Sequence, residues 1–163
     1  MSAPIAKPTR TSRRFDSLEQ EAFLSLWRTY DRLRAFEDEL FAHFDLTPQQ
    51  YNVLRLLQAR HPEPLPTLEL ASRLVSRAPD ITRMLDKLEH RGLIARDRPA
   101  SNRRTVRIGI TPAGSALLRE MGGPLVDSHA RQLGHLSRKQ LVDLIALLGV
   151  ARAPHESAQS TWR

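Results

Sequence analysis

The sequence predicts a mainly α-helical chain with one small β projection. Three observations carry this. Apolar residues recur at helical spacing through most of the chain. Capping residues followed by proline, or by glutamine three positions on, mark helix starts at Ser17, Thr47, Thr111 and Ser137. A single stretch, about residues 93–110, alternates as strands do and brackets a polar run suited to a turn. With 163 residues, 40% of them hydrophobic and 26% charged, the chain suits one compact domain of the soluble globular class. Aromatics make up only 6%, so the core is expected to be mostly Leu, Ile, Val and Ala.

Composition narrows the function classes. The formal net charge is +7 and the sequence pI is about 10.9, which favours a polyanionic partner, nucleic acid or an acidic membrane surface. No apolar run is long enough to span a bilayer, and the N-terminus lacks the apolar stretch of a signal peptide. No membrane partner is expected, and a cytoplasmic location is the simplest reading. The chain has no cysteine, which excludes disulfides, thiolate metal sites and cysteine-based peroxide sensing. The histidines (His43, His61, His90, His129, His135, His155) form no i, i+4 pair, so no metal site is expected. Neither a Gly-x-Gly-x-x-Gly nor a P-loop occurs, and Ser, His and Asp are scattered without a nucleophile motif. No enzyme and no cofactor are expected.

Taken in order, residues 1–16 read as a disordered arm, basic at Lys7, Arg10, Arg13 and Arg14. It is either a solubilising tail or an arm that touches phosphates. The first long helix opens with the capping box Ser17-x-x-Gln20 and runs to about Phe44. Phe23, Leu26, Trp27, Tyr30, Leu33, Leu40, Phe41 and Phe44 fall near one broad stripe. That is more apolar surface than a terminal helix of a small domain needs, so part is expected to be buried against a second subunit. The triplet Glu37-Asp38-Glu39 reads as a solvated helix face. Thr47, Pro48 and Gln50 start the second helix, which buries Val53, Leu54 and Leu57. It ends before His61-Pro62-Glu63-Pro64-Leu65-Pro66, where three prolines forbid regular helix.

The chain is organised around residues 67–111. A short helix capped by Thr67 buries Leu70, Ala71 and Leu74; Val75-Ser76-Arg77 turns; a second helix runs from about Ala78 to Arg91. Pro79 is tolerated in its first turn, and Gly92 supplies a left-handed stop. Ile81, Met84, Leu85 and Leu88 form its apolar face; Asp80, Thr82, Arg83, Asp86, Lys87 and His90 the other. A helix of this size fits a B-DNA major groove, though a charged face alone is more often simply solvated. The hairpin shifts that balance. Residues 93–96 and 105–110 are the strands, with Pro99 and Asn102 in the turn. Arg96, Arg98, Arg103, Arg104 and Arg107 crowd onto this projection. Folding gives no reason to concentrate guanidiniums there, whereas a phosphate backbone does. Thr111-Pro112 then starts a helix with Leu117, Leu118 and Met121. Gly122-Gly123-Pro124 is expected to kink or break it, and Leu125, Val126 and Leu133 continue the apolar face. Ser137-x-x-Gln140 opens the last helix, with Leu141, Leu144, Ile145 and Leu148, and residues 153–163 read as a flexible tail.

This order of helix, turn, helix and basic wing resembles the winged helix-turn-helix of the MarR family of bacterial transcription regulators. The motifs are Asp80-Ile81-Thr82-Arg83, Leu88-Glu89, Gly92-Leu93, Asn102-Arg103-Arg104 and Ile110-Thr111-Pro112-Ala113-Gly114. They are individually loose, and the ordered set, over about residues 18–150, is what is specific. The resemblance implies a winged helix-turn-helix DNA-binding lobe at 47–111, with N- and C-terminal dimerisation helices at 17–46 and 112–152. It also implies that Arg104 is the wing arginine that enters the minor groove. Two departures stand out. Asn102 replaces the acid that helps hold that arginine, and Asp80 stands where Thr or Ser is commoner.

The expected DNA-binding residues are Arg77, Asp80, Thr82, Arg83, Lys87, Arg98, Arg103 and Arg104, and the expected partner is a pseudo-palindromic operator bound by a homodimer. The resemblance further implies a small aromatic or phenolic ligand whose binding releases a repressor. Trp27 and Tyr30, with Arg55, could contact it, although an apolar stripe is more often packing. The competing reading is a winged-helix interaction module that binds protein or an anionic surface without reading DNA. It would show an exposed apolar patch on the second helix of the pair rather than cations.

Overall fold

The computed structural model describes residues 15–75, 80–99 and 105–156. It is mainly helical with one small antiparallel sheet. The elements are α1 (Leu18–His43), α2 (Pro48–Arg60), β1 (Leu65–Pro66), α3 (Thr67–Ser72), α4 (Ile81–His90), β2 (Ile94–Asp97), β3 (Arg107–Ile110), α5 (Pro112–Leu133) and α6 (Arg138–Arg152), followed by a 3₁₀ turn at Ala153–His155. The chain divides into two compact units, residues 1–35 and 36–163.

The first unit is described from Phe15 and holds most of α1. The Ser17 hydroxyl accepts the Gln20 amide at 3.1 Å, as the capping box predicts. The Gln20 carboxamide, however, accepts from the Asp16 amide rather than from that of Ser17. Phe23, Leu26, Trp27 and Tyr30 are all exposed, and Phe23 and Trp27 lie with ring centroids 6.2 Å apart.

The second unit contains the core. Phe41, Leu46, Val53, Leu54, Leu57, Leu65, Leu70, Leu85, Leu88, Ile94, Ile108 and Met121 are among its buried side chains. α1 ends in a Schellman turn: the Leu46 amide donates to the Phe41 carbonyl and the Asp45 amide to Ala42. Asp45 takes the left-handed position at φ 51°, and buried Phe41 and Leu46 supply the hydrophobic contact of the motif. Thr47 and Gln50 make the full capping box of α2, and its buried face is Val53, Leu54 and Leu57 as expected.

The wing sheet has three strands rather than two, in the order β1-β3-β2. The proline-rich link after α2 supplies β1, where Leu65 pairs with Ile108 and Pro66 with Arg107. A proline suits this edge strand because a missing N–H costs nothing on the unpaired side. β2 and β3 pair in register from Ile94↔Ile110 to Asp97↔Arg107. Thr67 does not cap α3: Pro66 holds the cap position, and the Thr67 hydroxyl donates instead to the Val106 carbonyl at 3.3 Å. The helix N-terminus offers only N–H donors, so the hydroxyl proton goes to the Val106 carbonyl just before β3.

α4 begins at Ile81, later than expected, with Asp80 as its cap; Ser76, Arg77, Ala78 and Pro79 lie outside the described residues. Gly92 takes φ 68° after the helix, as predicted. α5 is continuous through Gly122-Gly123-Pro124, so of the two expected outcomes, a kink or a break, the break does not occur. Met121 and Leu125 are both buried on either side of Pro124, and this packing outweighs one lost helix hydrogen bond. Val126 was expected on the apolar face and is exposed. α6 starts at the Ser137–Gln140 capping box, and none of its side chains is fully buried; Val142, Ile145, Leu147 and Val150 are exposed.

Candidate nucleic-acid interface

α4 is amphipathic in the way its sequence dictates. Leu85 and Leu88 are buried and Ile81 and Met84 pack against the core, so its apolar residues all turn inward. Thr82, Arg83, Asp86, Lys87 and His90 are left outward and exposed. Asp80 Oδ1 accepts the Arg83 amide at 2.9 Å, which fixes the first turn. Asp80 therefore precedes the helix and caps it, rather than lying along its outward face as the spacing suggested. Arg83 and Lys87 are one turn apart and share a face.

That face overlooks an open cleft of about 700 Å³. Its walls are Arg83, Lys87, His90 and Arg91 on one side and Leu46, Thr47 and Gln50 on the other. A smaller neighbouring recess, about 270 Å³, is lined by Gln49, Asp80 and Met84 together with Arg83 and Lys87. Cations, the carboxylates Asp45 and Asp86, and amide groups thus line a concave surface between α4 and the start of α2, with Arg83, Lys87 and Arg91 outnumbering the acids of the larger cleft. Such a surface suits a phosphate backbone, because each cation can displace a condensed counterion.

The wing adds to it. Arg98 and Arg107 are exposed. Arg96 is not free: its Nη1 lies 2.6 Å from Asp86 Oδ1 and 2.7 Å from Glu89 Oε2, and its Nη2 reaches the Thr82 carbonyl at 3.4 Å. One of the five wing arginines is therefore engaged within the protein itself, where composition suggested that all of them faced a phosphate backbone. Arg103, Arg104 and Asn102 lie outside the described residues, as does Arg77 and the N-terminal arm before Phe15.

The residues suggested for a small ligand belong to different units. Trp27 (61% exposed) and Tyr30 (59%) belong to the first unit, Arg55 is exposed on α2 in the second, and none of the three lines either cleft. Beside Arg55, burial pushes the Tyr51 phenol above its ordinary range, with the Arg55 charge opposing. Arg91, Arg96, Thr47 and Gln50 were not singled out as site residues from sequence. Their placement depends on which elements pack together, which local spacing does not encode.

The sheet, the helix pair and the flanking helices define a winged helix-turn-helix protein. The sequence model of the MarR family matches residues 46–106. A MarR transcription factor from Planctomyces limnophilus is 52% identical over 84% of this chain and 99% of its own, with a TM-score of 0.67. The chain belongs to the MarR family of transcription regulators. The same fold is shared at lower identity. The organohalide-sensing regulator RdhR, solved in its 2,4-dichlorophenol-bound form, is 17% identical over 96% of this chain and 95% of its own, at TM-score 0.78. A mutant MarR from E. coli complexed with operator DNA is 22% identical over 83% of this chain and 98% of its own, at TM-score 0.70.

Proposed function

We propose that this MarR-family regulator acts in the cytoplasm as a homodimer that binds a pseudo-palindromic operator and represses transcription until a small aromatic or phenolic ligand releases it. The observation that carries DNA reading is the outward face of α4. Arg83 and Lys87 stand exposed there at the edge of an open cleft, while every apolar side chain of the helix is turned inward. An adaptor docking to protein would need the reverse. In this reading Thr82 and Arg83 address base edges, and Asp80 helps by presenting the Arg83 turn. Lys87, Arg77 and Arg98 take phosphates, and Arg103 and Arg104 are carried over as the further wing arginines that contact DNA.

The dimer reading is supported by exposed apolar residues on two helices. Trp27 and Tyr30 on α1, and Ile145 and Val150 on α6, are each more than half exposed in the single chain. Surfaces of this kind mark association sites. A twofold dimer presents two copies of α4 to half-sites one helical turn apart, ~34–36 Å. A fold relative that holds 2,4-dichlorophenol supports a ligand of that chemistry, with Trp27, Tyr30 and Arg55 as candidate contacts.

The test is to select duplexes from a random-sequence pool with the wild-type protein, then measure binding by fluorescence anisotropy with sedimentation on the same sample. The expected result is a dimer that prefers a sequence with inverted symmetry and loses it when 2,4-dichlorophenol is added. A monomer of 18.5 kDa at low micromolar concentration, or equal affinity for all duplexes, would overturn the corresponding part.

A further inference from the structure

Arg96 stands apart from the other described wing cations. Arg98 and Arg107 are exposed, but the Arg96 side chain is only 24% exposed and points back to α4. There it meets Asp86 at 2.6 Å and Glu89 at 2.7 Å, two carboxylates three residues apart on one helical face. Its second terminal nitrogen reaches the Thr82 carbonyl in the first turn of the same helix. One guanidinium therefore touches α4 near its start, middle and end. In the sheet Arg96 pairs with Ile108, which is fully buried, so the strand at its base is held in register by the core.

We propose that Arg96 is a positioning residue for DNA recognition: it clamps the wing to α4 and so fixes the offset between the two elements that address neighbouring grooves. The inference rests on the DNA-binding reading above. It follows from what the contacts join. Along the chain, α4 and β2 are connected only through the turn at Arg91–Leu93, and a turn alone sets the angle between helix and strand loosely. A planar donor fork held by two carboxylates and a carbonyl sets it tightly. The same contacts offset one of the two negative charges that Asp86 and Glu89 place beside a phosphate-facing surface. Partly exposed ion pairs contribute little to global stability, so the consequence lies in geometry rather than in folding.

The experiment compares wild-type protein with Arg96→Met, Arg96→Lys, and Arg96→Met combined with Asp86→Asn and Glu89→Gln. Each is measured against the duplex selected by the wild-type protein and a scrambled duplex of equal length, with thermal unfolding as the control for folding. Arg96→Met keeps the aliphatic stem and removes the clamp. It is expected to bind the selected duplex about tenfold more weakly or worse, the scale of one lost groove contact. The triple variant removes the exposed acids too; it is expected to regain affinity for the scrambled duplex without regaining preference for the selected one. If it regains both, Arg96 is a charge neutraliser only and the positioning role is overturned. An unchanged preference in a folded Arg96→Met overturns it as well. Should Arg96→Met not fold, Arg96→Lys carries the test: one ammonium can stand in for Nη1 between the two acids, but it lacks the second terminal nitrogen that reaches the Thr82 carbonyl and the rigid plane that joins them; full wild-type preference there is the overturning result. Wild-type protein that binds no duplex would instead sink the DNA-binding reading itself.

Discussion

Arg91, at the C-terminal end of α4, donates from Nη2 to the carbonyl of Phe44 at 3.2 Å, and from Nη1 to the carbonyl of Asp45. Both acceptors lie just past the last turn of α1, where helix carbonyls have no partner of their own and the helix dipole favours a cation. One side chain thus caps α1 and ties it to α4. Removing it as Arg91→Ala is expected to lower unfolding stability by about 1–2 kcal/mol, the scale of charge-assisted hydrogen bonds at a partly exposed site. Arg91→Lys should recover part of this. Urea unfolding measures both, and an unchanged midpoint in Arg91→Ala would show that these contacts carry no stability.

The start of α5 is pressed against the start of β2. Thr111 donates from its hydroxyl to the Gly92 carbonyl at 2.6 Å and from its amide to that of Leu93 at 3.1 Å. A Cβ on Gly114 would lie 2.3 Å from the Leu93 carbonyl oxygen and 2.8 Å from Ile110 Cγ1. Backbone cannot move aside cheaply, so Gly114→Ala is expected to cost ~1–3 kcal/mol, as overpacking does. Gly122, in the same helix, has nothing within 4 Å of such a Cβ. There the substitution to Ala should stabilise by ~0.5–1 kcal/mol through helix propensity. Opposite signs in thermal unfolding are the expected pair, and equal signs would contradict the packing described.

The helices were largely legible because their signals are local. Thr47 with Gln50, Thr111 with Pro112, and Ser137 with Gln140 each mark a start that the structure keeps. The strand at Leu65–Pro66 was not legible, since two residues in a run with Pro62 and Pro64 carry no alternation; pairing with the distant β3 makes it a strand. The outward face of α4 followed from its apolar period, but Asp80 moved from face to cap because its carboxylate satisfies the Arg83 amide. The counting of wing arginines gave every one the same role. Only the packing of β2 on α4 separates Arg96, held by Asp86 and Glu89, from exposed Arg98.

Tyr51 offers a pH signature. Its ring packs 5.1 Å from that of Phe41, and burial raises its pKa above the ordinary value of 10.0. The folded chain therefore disfavours the phenolate. The sign follows: this contribution to stability is fully present below the unfolded value and is lost as pH rises through the raised folded value. Tyr51→Phe should leave neutral stability nearly unchanged and flatten the alkaline decline. Urea midpoints taken on either side of the ordinary tyrosine range test this. An equally steep decline in the variant would assign it to other groups.

The last prediction separates base reading from phosphate contact on α4. Arg83 is exposed, and the Asp80 cap holds its backbone amide at 2.9 Å, so its side chain leaves from a fixed first turn. That is where a helix lying in the major groove meets base edges. Lys87 is one turn further on, along the cleft shared with Thr47 and Gln50, where a backbone would run. Arg83→Ala is therefore expected to lose both affinity and sequence preference, by ~1–3 kcal/mol of discrimination. Lys87→Ala should weaken selected and scrambled duplexes alike and reduce the slope of log affinity against log salt by about 1. Anisotropy titrations at several salt concentrations measure both quantities on the same proteins. If Arg83→Ala kept the wild-type ratio between the two duplexes, Arg83 would be a phosphate contact at most, and sequence reading would have to lie with Thr82 or the wing.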